Sequence, residues 1–94
     1  MAIGKQSERE ITRAIRGLLK TMGIFHWVNI YSGPDILGIY KGRMFAIIVK
    51  PAGDLSDHQQ RFLDRINREG GIAFVARSID DVIDGLGVRD RFLI

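Results

Sequence analysis

Ninety-four residues, 46% hydrophobic and 27% charged, set the scale of one soluble domain over 1–94 with a single modest core. The absence of cysteine excludes a disulfide framework and a thiolate-held zinc site, and it agrees with a reducing compartment. No apolar run approaches the roughly 20 residues of a membrane span, residues 1–10 lack the apolar core of a signal peptide, and the net charge of +3 points weakly toward an anionic partner.

In chain order, the spacing predicts a helix over 7–22, opened by a capping box in which Ser7 and Glu10 satisfy each other's free N–H groups. Ile11, Ala14, Ile15, Leu18 and Met22 recur at helical spacing as its apolar face, Arg9, Arg13, Arg16 and Lys20 fall opposite, and Gly23 ends it. Strands are expected over 25–31 and 35–40, separated by Ser32-Gly33-Pro34. A hairpin turn at Lys41-Gly42-Arg43 leads to a third strand over 44–50, apolar on both faces and therefore central. Ser56 and Gln59 cap a second helix with Phe62, Leu63 and Ile66 inward, and Gly70-Gly71 stops it. A strand over 72–76 follows, then a helix capped by Ser78 through Asp81 with Val82, Ile83 and Leu86 inward, and the segment 88–94 has no clear periodicity. The order α-β-β-β-α-β-α predicts an α/β domain, a mixed sheet flanked by helices.

The stretch 33–50 carries the candidate chemistry. Asp35 begins one strand of the hairpin and Lys50 ends the next, so hairpin geometry brings a carboxylate and an ammonium to one sheet edge. Carboxylates hold Mg²⁺ or Mn²⁺ through oxygen, and a neighbouring lysine orients water or offsets phosphate charge, as metal-assisted phosphodiester hydrolysis requires. Asp35 after Gly-Pro is also an ordinary turn acid, and the capping boxes alone account for Glu10 and Gln59. The arginine row on the first helix is equally the solvated face of an amphipathic helix. His26 and His58 have no partner at zinc-ligand spacing, no phosphate loop follows Gly33 or Gly38, and Phe25 and Trp27 read as core or interface.

The runs Ser32-Gly33-Pro34-Asp35-Ile36-Leu37-Gly38, Gly42-Arg43, Ala46-Ile47-Ile48-Val49-Lys50, Gly53-Asp54-Leu55-Ser56, Gln59, Gly70-Gly71 and Val75-Ala76-Arg77-Ser78 together resemble the VRR-NUC branch of the PD-(D/E)XK nucleases, over about three quarters of the chain. The resemblance implies a restriction-endonuclease-like sheet and metal-dependent endonuclease cleavage of branched or otherwise structured DNA with Mg²⁺ or Mn²⁺. It also implies kinship with dimeric Holliday-junction resolvases and a cytoplasmic setting in a bacterial or phage-infected cell. It assigns Asp35 as the first metal-binding acid, the Val49 carbonyl as a further ligand, Lys50 as the catalytic lysine, Gln59 as a positioning amide and Glu10 as a helix-borne helper. Arg9, Arg13, Arg16, Lys20 and Arg77 would contact DNA. The family pattern places an acid two residues before the lysine, and this chain has Ile48 there. Three accounts of Ile48 stand open: an engineered variant, a pseudo-enzyme that still binds branched DNA, or a site completed by Glu10 or Asp54. A homodimer is expected, with Phe92-Leu93-Ile94 as a candidate contact.

Overall fold

A computed structural model describes residues 7–29 and 33–92. The elements are α1 (Glu8–Thr21), β1 (Phe25–Val28), β2 (Ile36–Tyr40), β3 (Arg43–Val49), α2 (Asp57–Arg68), β4 (Ile72–Ala76), α3 (Ile79–Gly85) and a closing 3₁₀ turn, Arg89–Phe92. This is the expected α/β order, and the sheet runs β1-β2-β3-β4 with β4 parallel to β3 and the other pairs antiparallel. The crossover through α2 is what lets β4 run parallel.

The local chemistry of the sequence sets most of the element boundaries. The Ser7 hydroxyl accepts from the Glu10 N–H at 3.1 Å and the Glu10 carboxylate accepts from the Ser7 N–H at 3.0 Å, which opens α1. Ser56 and Gln59 repeat the arrangement at α2. The β2–β3 turn is shorter than expected. Only Lys41 and Gly42 form it, with φ of 52° and 79°, because two successive left-handed residues match the twist of the flanking strands; Arg43 already pairs with Tyr40.

Three expectations are corrected. The buried face of α1 is Ile11, Ile15 and Leu19, with Leu18 and Met22 only partly buried; the helix seats along a single i, i+4 ridge, so Leu19 lies inside and its neighbours flank it. Strand β1 stops at Val28, and although Asn29 leaves the strand its N–H still donates to the Asp35 carbonyl at 2.9 Å. The rest of the expected strand and residues 93–94 lie outside the described residues. Ser78 makes no side-chain cap; the Asp81 carboxylate reaches one residue further back and accepts from the Arg77 N–H at 2.8 Å.

β3 has both faces covered from Phe45 onward. Phe45, Ile47 and Val49 join Ile36 in a core with α1 and α3, whereas Ala46 and Ile48 pack on the other face against Leu63 of α2. Gly38 lies under the Phe45 ring, and a Cβ there would run into that ring and into the Phe25 carbonyl. On the outer side of β4, the Asn67 amide donates to the Ala73 carbonyl and accepts from its N–H, both at 2.9 Å. No helix among the described residues is long and apolar enough to cross a membrane.

Candidate functional site

The site lies where β2 begins and β3 ends. The Asp35 N–H donates to the Ile47 carbonyl at 2.9 Å, extending the ladder one residue past β2. Its carboxylate Oδ2 then accepts from the Val49 N–H at 2.7 Å. The hairpin thus joins the acid to the residue preceding Lys50, as the sequence spacing requires. In a strand a residue's N–H and C=O point to the same edge, so the Val49 carbonyl shares the Asp35 side. Lys50 is half-buried, and its N–H donates to the Ala76 carbonyl at 3.0 Å.

Burial pushes the Asp35 carboxyl above its ordinary value, with the Val49 N–H and its own N–H acting in the opposite direction. A raised carboxyl favours the protonated folded state. Its stability contribution is full below the ordinary aspartate range and is lost as pH rises through the raised value. Asp35→Asn keeps an acceptor for the Val49 N–H and removes the ionisation cost. The variant is expected to melt above the native chain at neutral pH, with the gap closing on acidification; a lower melting temperature at neutral pH would contradict this.

Ile48 is 4% exposed and packs beside Leu63. It also floors a cleft of about 350 Å³ whose other lining residues are Gly33, Pro34, Ser56, His58, Gln59 and Phe62. The Gln59 carbonyl is committed to the Ser56 N–H at 2.9 Å, which leaves the amide nitrogen as its means of meeting a ligand. His58 and Phe62 were not singled out from the sequence as site residues. Their i, i+4 spacing, with Gln59 three before Phe62, is the signal that puts all three on one side of α2.

Glu10 is not among the cleft residues. It lies in the first turn of α1, which packs on the sheet face opposite α2. Its carboxyl is held below its ordinary value by the Ser7 N–H, then by the Ser7 hydroxyl and the Arg13 charge. Arg77 is engaged within the chain, donating to the Lys50 carbonyl at 3.3 Å and the Gly53 carbonyl at 2.8 Å. It straps the loop after β3 to the start of α3. Arg9, Arg13, Arg16 and Lys20 are exposed on α1, and the three arginines border a shallow hollow with Glu8 and Thr12. The basic row and the cleft therefore belong to opposite sides of the sheet.

Magnesium and manganese take oxygen ligands in near-octahedral array, with one or two carboxylates as anchors. Here one carboxylate is in place, one of its oxygens is engaged by Val49, and Ile48 contributes no ligand. Among the described residues no group of three or more His, Cys, Asp or Glu side chains is placed to hold a metal ion. The residues present do not fit a two-carboxylate metal centre. What the fold and cleft define is an α/β domain in which Asp35 binds the backbone of β3 just before Lys50, beside a cleft lined by Ile48 and by Gln59 of α2. No family model matches the chain, and no curated protein matches it.

Proposed function

We propose that this chain is a DNA-binding domain on a metal-dependent endonuclease frame, with hydrolysis lost at Ile48. The observation that carries the reading is that Ile48 lines the cleft beside Gln59, on the strand whose end the Asp35 carboxylate binds, at the position where the resemblance to VRR-NUC domains calls for a second acid. Its support is the VRR-NUC resemblance over Gly33–Lys50 and the matching element order. The Asp35–Val49 hydrogen bond, which brings Asp35 beside the end of β3, supports it too. The exposed cationic row of α1 adds an electrostatic footprint suited to phosphates, and branched DNA is the substrate class the resemblance supplies.

Binding of a labelled four-way junction, followed against salt, tests this. Four cations engaging phosphates give a log–log salt slope of about −3 to −4, and each arginine of α1 changed to alanine should flatten it by about 1. The junction stays uncut with Mg²⁺ or Mn²⁺. No binding at low salt would remove the DNA reading, and cleavage by the native chain would restore the active-endonuclease reading with a different second ligand.

A further inference from the structure

We propose that the exposed aromatic pair of β1, Phe25 and Trp27, stacks the bases of an unpaired DNA strand whose phosphates lie against Arg16 and Lys20 of α1. The inference rests on the DNA reading above and names the part of the substrate this face takes: a single-stranded arm, held on the opposite side of the sheet edge from the Ile48 cleft.

The aromatic half of the site follows from where α2 stops. Leu63 of α2 packs over Ala46 and Ile48 of β3 and Ala73 of β4, which leaves β1 uncovered on that side. Phe25 is 64% exposed and Trp27 43%. Two residues apart on a strand, they share one face, with ring centroids 5.6 Å apart and planes inclined by 53°. Stacked rings keep their centroids about 4.5 Å or more apart, so this gap is too narrow to admit a base between them. Each ring instead offers its outer face to one base. The platform continues across the sheet, because Phe25 pairs with Ile39 and Ile39 with Met44, both exposed.

The cationic half adjoins it. A hollow of about 690 Å³ is lined by Phe25 together with Arg16, Gly17 and Lys20 of α1. Arg16 and Lys20 are one helical turn apart and exposed, so they stand one above the other along the hollow. No acidic residue lines it. A Cβ built at Gly17 would meet nothing within 4 Å, so the helix surface between the two cations is bare and a phosphate can approach closely. A cationic hollow that runs into exposed rings is the combination that binds single strands: the cations follow the phosphates, and the rings take bases of any sequence. A paired helix conceals its base faces and has no use for Phe25 and Trp27. A wholly apolar protein partner would leave the two cations beside Phe25 unmatched.

Titration of the full chain with a labelled oligothymidylate of about 12 nucleotides, within the ~4–16 nucleotides of known single-strand sites, and with a blunt duplex at the same salt tests this. The single strand should bind more tightly than the duplex and quench the emission of Trp27, the chain's single tryptophan, a readout that needs no variant. Phe25→Ala should weaken single-strand binding about tenfold and leave duplex binding unchanged. Gly17→Glu, which projects into open space and improves the helix, should weaken the single strand by placing a negative charge between the cations. Equal binding of both DNAs with Trp27 emission unmoved overturns the stacking site and leaves the α1 phosphate contacts standing. Binding of neither DNA removes the DNA reading itself. Trp27 emission that shifts on dilution without DNA gives the face to a protein partner and overturns the proposal.

Discussion

Ile48→Glu should be less stable than the native chain without metal, regain stability on addition of Mg²⁺ or Mn²⁺, and cut the four-way junction. Ile48 is buried among Ala46, Leu63 and Ala73. A carboxylate placed there loses apolar contacts and is partly desolvated, a cost of about 2–4 kcal/mol. The new side chain faces the cleft that Gln59 also lines and stands near the strand end where the Asp35 carboxylate meets Val49. A cation that bridges the two acids binds only the folded state and returns about 2.7 kcal/mol at a hundredfold excess over its dissociation constant. In a domain of this size that is a rise of roughly 10 °C or more in melting temperature. The native chain should show no metal-specific rise. Melting curves separate the site from the chemistry: a metal response without cleavage keeps the centre and rejects the nuclease activity. An absent response shows that position 48 does not complete a metal site, and the nuclease lineage then loses its main support.

Phe45→Ala should cost about 3–5 kcal/mol, a large part of the stability of so small a domain. The ring is fully buried at the centre of the larger core and lies across Gly38 on the adjacent strand. Gly38→Ala should cost about 1–3 kcal/mol through overpacking, because its new methyl group meets the ring and the Phe25 carbonyl. In the double variant the ring is gone, so the alanine at position 38 should cost measurably less than it does alone. Urea denaturation of the four proteins gives the coupling. Strict additivity would mean that the backbone contact with Phe25, and not the ring, sets the cost at Gly38.

Much of the fold was legible in the sequence because it is locally encoded. Two capping boxes, a Lys-Gly turn and a strand apolar on both faces each state their structure within a few residues. The reading failed where a tertiary choice decides. Leu19 is buried because α1 settles on one ridge, and nothing within the helix distinguishes that ridge from its neighbour. Phe25, Trp27 and Met44 are apolar yet exposed, since the extent of α2's cover is a property of the assembled layers. At the site, the meeting of Asp35 with the end of β3 followed from hairpin register. The engagement of Arg77 by carbonyls 24 and 27 residues away has no local signal, so the role of this exposed arginine as a strap of the loop after β3 was not legible in the sequence. Glu10 was equally ambiguous in sequence, and its placement on the α1 side of the sheet follows from packing.

The bond pair between Asn67 and Ala73 bears on how the protein behaves in crowded solution. An outward-facing residue on an edge strand invites the strand of another molecule. Here a side-chain amide already occupies both hydrogen-bonding groups of Ala73, as a neighbouring strand would. β4 is thereby capped at Ala73, and β1 forms the opposite border of the sheet. Run-on growth of a sheet needs two receptive borders on every molecule. The cap makes β4 the poorer template, so edge-to-edge association of this protein is expected to be biased toward β1 and toward pairs over fibres.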